Sequence, residues 1–166
     1  MPTAHALQPA VPGLDECSLR AAFGRFATGV AFVTAEVDGT PLGLIVSSFA
    51  AVSLDPPLVS FCPARDSITW RRMRRAGRFA VHVLGVRHGS FARRAAAPGA
   101  DRFAEPDVLR EALAAIECEL EAEHAAGDHW IVVGRVRGLD VSTHGRPLVY
   151  FAGRFGAFQA TDTGAQ

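Results

Sequence analysis

Between residues 18 and 26 apolar side chains recur at helical spacing: Leu19, Ala22, Phe23 and Phe26, with Arg20 and Arg25 between them. That periodicity predicts a helix opening at Asp15 or Ser18, both of which are good N-caps. From Val30 the pattern becomes β-rich: VAFVTAEV, the turn signal Asp38-Gly39-Thr40-Pro41, then LGLIVSSF, which together predict a hairpin. SLDPPLVSFC breaks at Pro56 and Pro57 and predicts a strand over 58–62, whose continuous apolar character implies burial on both faces. Asp66 and Ser67 offer an N-cap to a short helix over 68–76, ended by Gly77, with Arg74 and Arg75 in its last turn. RFAVHVL reads as a strand, and a helix around 88–97 and an irregular acidic stretch follow. AIECELEAEH and HWIVVGRVRGLDV alternate around the turn AAGD and predict a long hairpin, and PLVYF closes the set.

Six or seven strands, mostly in antiparallel hairpins and with no regular strand–helix–strand alternation, predict a mainly β fold. An antiparallel barrel with peripheral helices accounts for them better than a doubly wound sheet. Residues 1–14, with three prolines, and residues 159–166 read as flexible tails, leaving one domain over 15–158.

Composition narrows the picture. A chain of 166 residues with 49% apolar and 20% charged side chains has the material for one packed core, which excludes bulk disorder. Equal numbers of basic and acidic residues, 17 of each, argue against a nucleic-acid partner. All 17 basic residues are arginine, so lysine-based chemistry, including a Schiff base or a P-loop lysine, is excluded. Cys17, Cys62 and Cys118 are scattered and form no C-x-x-C pair, which predicts reduced thiols in a cytoplasmic protein. No basic-then-apolar leader and no apolar run of about 18 residues is present, so no membrane association is expected.

No G-x-G-x-x-G, P-loop or G-x-S-x-G motif occurs. Three stretches remain as candidates for chemistry. Ser47-Ser48-Phe49-Ala50-Ala51-Val52-Ser53 leaves a strand through small and hydroxyl side chains towards Asp55-Pro56-Pro57, which lets a planar ligand approach the backbone; an ordinary strand end is the competing reading. Cys62-Pro63-Ala64-Arg65-Asp66-Ser67-Ile68-Thr69-Trp70 leads into a helix whose first turn holds Ser67 and Thr69, where free N–H groups favour a phosphate and Arg65 adds charge; a plain N-cap explains the same residues. His124, Asp128 and His129 share a hairpin turn, but no partner stands at zinc-finger spacing, and no metal is expected. His82 lies within an apolar strand and reads as a core residue. Arg71, Arg72, Arg74 and Arg75 form a basic helix face.

Taken together these segments resemble the flavin reductase-like family, FMN-binding split β-barrels that serve two-component monooxygenases. The matching pieces run in order from Leu19 to Phe158: LRAAFGRFATGVAFVTA, GLIVSSFAAVSLDPPLVSFC, RAGRFAVHVL, DRFAEP, ECELEAEHAAGDHWIVVGRV and RPLVYFAGRF. The resemblance implies a homodimeric NAD(P)H-dependent reductase that transfers hydride from NADH or NADPH to FMN or FAD and supplies a partner flavin-dependent monooxygenase. It places the flavin ring on Ser47, Ser48, Phe49 and Ala50, and the phosphate end on Ala64 to Trp70. Arg102 and Phe103 match a further flavin contact. His129, as the catalytic-site histidine, and Tyr150, Phe151, Ala152 and Gly153 match positions associated with the nicotinamide nucleotide. The chain departs from the family pattern at Ser47 (often Asn or Gln), at His82 (often Asn) and at Ala152 (commonly Arg). The segment from Phe103 to Ala114 is also shorter, which implies a different lid or none. These departures leave two rivals: a flavin-binding protein without reductase activity, and a recruited enzyme using His82 or His129 for proton transfer.

Overall fold

The computed structural model describes residues 15–97, 99–105 and 107–161. The expected tail at 1–14 and the end of the expected C-terminal tail, 162–166, lie outside the described residues. Helix α1 (Glu16–Phe23) is capped by Asp15, whose side chain accepts the Ser18 N–H at 2.7 Å. Strands β1 (Thr28–Gly29) and β2 (Ala31–Val37) follow, then β3 (Thr40–Val46), β4 (Ala50–Leu54) and β5 (Pro57–Phe61). Helix α2 (Ile68–Met73) runs into a 3₁₀ turn, 74–76, that stops at Gly77 in the left-handed conformation. Strand β6 (Arg78–Val83), helices α3 (Gly89–Ala95) and α4 (Asp107–Arg110), and the long hairpin β7 (Ala114–Ala126) and β8 (His129–Val141) come next. The described chain ends on the hairpin β9 (Leu148–Phe151) and β10 (Arg154–Ala157).

Seven strands form an antiparallel sheet in the order β3-β2-β6-β7-β8-β5-β4; β1, β9 and β10 form a small second sheet. Both faces of β2 are covered, because its side chains alternate between two cores. Ala31 and Val33 face the first, with Phe61, Trp70, Met73, Phe79, Val81 and Val132. Phe32 faces the second, beneath α3 and the small sheet, with Leu84, Phe91, Ala92 and Leu148. Phe61, Trp70 and Phe79 meet edge-to-face at 5.2–6.3 Å, which locks the first core.

Several expectations need correction. The strand expected over 58–62 spans 57–61 and alternates; only Val59 and Phe61 are buried, because α2 and the first core cover one face alone. Residues 47–49 are not strand: β3 ends at Val46, where its pairing with β2 ends. The small-residue stretch after them is itself a strand, β4, bulged between Ala51 and Ser53. The helix expected around 88–97 covers 89–95, and the acidic stretch contains α4. The turn of the long hairpin is the pair Gly127–Asp128 rather than four residues. Finally, α1 buries none of its residues: Phe23 is 71% exposed, and Phe26, beyond the helix end, 77%.

Candidate active site

The two edges of the large sheet, β3 and β4, are consecutive in the chain, so Ser47-Ser48-Phe49 spans the opening between them. Backbone at this split has no ladder partner, which is the condition for reading a ligand with N–H and C=O groups. The segment is nevertheless held in place. Ser48 Oγ accepts the Cys62 N–H at 2.8 Å and donates to the Cys62 carbonyl at 3.4 Å.

The same loop, 62–65, is tied to the tip of the long hairpin. Trp130 N–H donates to the Pro63 carbonyl and Arg65 N–H to the Asp128 carbonyl, both at 2.9 Å, and Ala64 bridges to His129. These bonds gather Ser47, Ser48, Ala64, Ser67 and His129 around one cavity of ≈ 450 Å³, whose lining includes no carboxylate. Ser67 caps α2 by accepting the Trp70 N–H at 3.2 Å, so its own proton remains free to donate. His129 Nδ1 lies 2.8 Å from Asp128 Oδ1. A carboxylate can only accept, so Nδ1 donates and Nε2 is left as an acceptor in the neutral ring. That hydrogen bond, with the charge interaction behind it, holds the Asp128 carboxyl below its ordinary range.

Ser47 also lines a second trough of ≈ 630 Å³ with Tyr150, Gly153, Arg93 and Arg154. Its wall is the β9–β10 hairpin, whose two-residue turn places Ala152 at φ 48° and Gly153 at φ 79°. The Ala152 N–H donates to the Gly24 carbonyl at 2.9 Å, anchoring the turn to the end of α1. Two troughs meeting at one serine make a site for two ligands, or for two ends of one.

A family model described as "Flavin reductase like domain" matches residues 23–159. The chain belongs to the flavin reductase-like family. It is 37% identical over 163 residues to the reductase subunit HsaB of a flavin-dependent monooxygenase from Rhodococcus jostii, with 93% of this chain and 84% of that one covered. It is 39% identical over 167 residues to the FMN reductase (NADH) SmoA of Agrobacterium fabrum, covering 95% and 94%. Among solved structures, the NADH:FAD oxidoreductase SgcE6 of Streptomyces globisporus, in complex with NAD and FAD fragments, superimposes with a TM-score of 0.83 at 32% identity, covering 93% and 99%.

Against this family frame, the residues expected to hold ligands divide into those the fold brings together and those it uses elsewhere. Ser47, Ser48, Ala64, Ser67 and His129 share the first cavity; Tyr150 and Gly153 share the second trough with Ser47. Phe151 and Ala152 line an adjoining surface of the same hairpin. Thr69 is half-buried on the first turn of α2, while Asp66 and the Ile68 side chain are exposed beside it. Phe49 packs against the first core, and Ala50 is exposed on β4. The Trp70 indole lies inside the first core, 2% exposed, and donates to Glu123 at 2.9 Å, so it presents no ring face to a ligand. Arg65 stacks over Trp130 at 5.1 Å and donates to the Gly127 carbonyl at 3.3 Å. Arg102 caps the end of α3 through the Ala95 and Ala97 carbonyls, at 2.7 and 3.4 Å, and Phe103 packs on Phe32.

His82 sits in the barrel wall, 3.0 Å from Thr34 Oγ1, and lines neither cavity. Among the described residues no three His, Cys, Asp or Glu side chains converge as metal ligands. Sequence reasoning missed Arg93 and Arg154. Arg93 differs from its neighbour Arg94 only in which side of α3 it occupies, and Arg154 follows a turn that composition does not mark.

Proposed function

We infer that this protein is an NAD(P)H-dependent flavin reductase that reduces FMN or FAD and releases it to a partner flavin-dependent monooxygenase. One observation carries the reading: the backbone segment across the split of the sheet faces His129 over a small-residue, carboxylate-free cavity. That donor set fits a flavin, with unpaired backbone and hydroxyls for the ring's polar edge and Ser67 and Thr69 for the phosphate. Flavin held by these residues would supply the chemistry, as the acceptor of a hydride from a reduced nicotinamide.

The protein's own contribution is alignment and exclusion of water. Ser47 and Ser48, the latter pinned to Cys62, hold the ring in the split. His129, oriented by Asp128, meets the nicotinamide side. The partner oxygenase is supported by relatives that are reductase components of such enzymes, HsaB among them. A homodimer is supported by the large phenyl groups left in solvent around α1 and the β9–β10 hairpin. The three free cysteines agree with a reducing cytoplasm.

Mixing the protein with FMN or FAD and NADH or NADPH is expected to consume the nicotinamide absorbance in at least one pairing. Flavin binding without oxidation in all four would replace this reading with a flavin-binding protein that does not reduce its ligand.

A further inference from the structure

Among the described residues eight arginines stand within 4.0 Å of a carboxylate, one of them Arg94 on α3, which pairs with Glu105. Arg93, one residue earlier, and Arg154, the first residue of β10, have no such partner among the described residues, and both line the second trough. Nothing acidic lines it: the remaining walls are apolar, apart from Ser47 and Tyr150. Two guanidinium groups facing one trough with no internal counterion make a receptor for an anion bearing more than one charge.

The shared Ser47 makes this trough adjoin the flavin seat, but neither Ser67 nor Thr69, the residues proposed for the flavin phosphate, lines it. The anion is therefore carried by a second molecule. We propose that Arg93 and Arg154 clamp the pyrophosphate of the nicotinamide dinucleotide and so set the KM for the hydride donor. This rests on the reductase reading above. In a chain without lysine no other kind of side chain could supply that charge at neutral pH.

The test compares NADH with 1-benzyl-1,4-dihydronicotinamide, a hydride donor that carries no phosphate. Arg93→Ala and Arg154→Ala are each expected to raise the KM for NADH about tenfold, the worth of a charge-assisted contact, and the double variant further. The kcat at saturating NADH, the flavin Kd and turnover of the phosphate-free donor are expected to stay within about twofold, because ring alignment is untouched. Arg154→Lys should recover part of the loss as a point charge without the fork. Both side chains are exposed, so melting temperatures should move by no more than about 2 °C.

Unchanged KM for NADH overturns the proposal, as does an equal loss with both donors. A loss of flavin affinity assigns the pair to the flavin instead, and an effect on NADPH alone assigns it to the 2′-phosphate; either result overturns the clamp. Wild-type protein that oxidises neither donor in the presence of flavin overturns the reductase reading itself.

Discussion

Ser67 shows how one side chain serves the fold and the site together. Its oxygen caps α2 through the Trp70 N–H, and the same side chain lines the cavity it shares with Ser47 and His129, with its proton left free to donate. Replacing both Ser67 and Thr69 by alanine removes the cap and both hydroxyls, so stability should fall by about 1 kcal/mol and flavin Kd rise about tenfold. The two roles separate in Ser67→Asp. Aspartate caps as well as serine, so the melting temperature should hold, while its charge repels a phosphate and flavin binding should collapse. Wild-type flavin affinity in that variant would remove the phosphate from this helix.

The buried histidines act through pH rather than contact. His82 Nδ1 is buried without a partner, and His88 Nδ1 accepts the Gly85 N–H at 3.0 Å, leaving Nε2 buried and unpaired. Burial lowers both pKa values from the ordinary 6.5; at His88 the Glu111 carboxylate opposes that effect and Arg87 adds to it. The unfolded chain binds these protons first. Their stabilisation is therefore complete above pH 6.5 and is lost as pH falls towards the folded values. Melting temperature should drop between pH 6.5 and 5, before most carboxylates titrate, and His82→Asn should flatten that slope. An unchanged slope would mean that His82 binds its proton equally well in the folded and unfolded chain.

Glycines at the element scale are space-savers for aromatic rings. A Cβ on Gly134 of β8 would lie 2.4 Å from Phe79 Cζ and 3.1 Å from Cys118 Cβ; one on Gly43 of β3 would lie 2.4 Å from the Phe32 ring. Phe79 cannot swing aside, because Phe61 and Trp70 hold it edge-to-face. Gly134→Ala is expected to cost about 1–3 kcal/mol in urea unfolding, and Phe79→Leu in the same chain to recover part of that cost. Additive losses in the double variant would show that the clash is not the cause.

Such requirements cannot be read from sequence, since they depend on which ring lies across the sheet. Turns were legible only where residue chemistry marks them. Asp38–Gly39 has φ 52° and 73°, the conformation an Asp-Gly pair predicts, and the β2–β3 hairpin was expected there. Ala152–Gly153 makes the same kind of turn with a residue that rarely adopts it, and β10 beyond it was not foreseen. The site divides the same way. Ser47, Ser67 and His129, which the fold gathers at one cavity, stand in segments that resemble the family, whereas Arg93 and Arg154 needed the fold to bring α3 and β10 to one trough. Trp70 was placed at the flavin by the resemblance of the 64–70 segment, whereas an indole of its size more often packs in a core, and there it lies.

At the scale of the whole molecule, what stands out is apolar surface without cover. The Ala152–Gly24 hydrogen bond brings the end of α1 to the β9–β10 turn, so Phe23, Phe26 and Phe151 project from adjoining segments, 71%, 77% and 44% exposed. Phe158, 57% exposed, lies one residue past β10. Monomeric proteins rarely leave such groups clustered, and covering each phenyl contributes about 1.5–3 kcal/mol. The homodimer proposed above would supply that cover by pairing like surfaces about a twofold axis.

The second trough borders these residues through Gly153 and Arg154, so association and ligand binding should be coupled. Light scattering after gel filtration is expected to give twice the 17.6 kDa chain mass. Phe23→Asp with Phe26→Asp should return it to the single-chain mass, because a charge on each of two facing surfaces opposes closure. The wild-type melting temperature should rise with protein concentration and that of the variant should not. If the hairpin needs the partner to stay in place, the variant's KM for NADH should rise while the phosphate-free donor is oxidised as before. A wild-type chain that runs at 17.6 kDa at micromolar concentration would leave the exposed phenyls to the oxygenase partner.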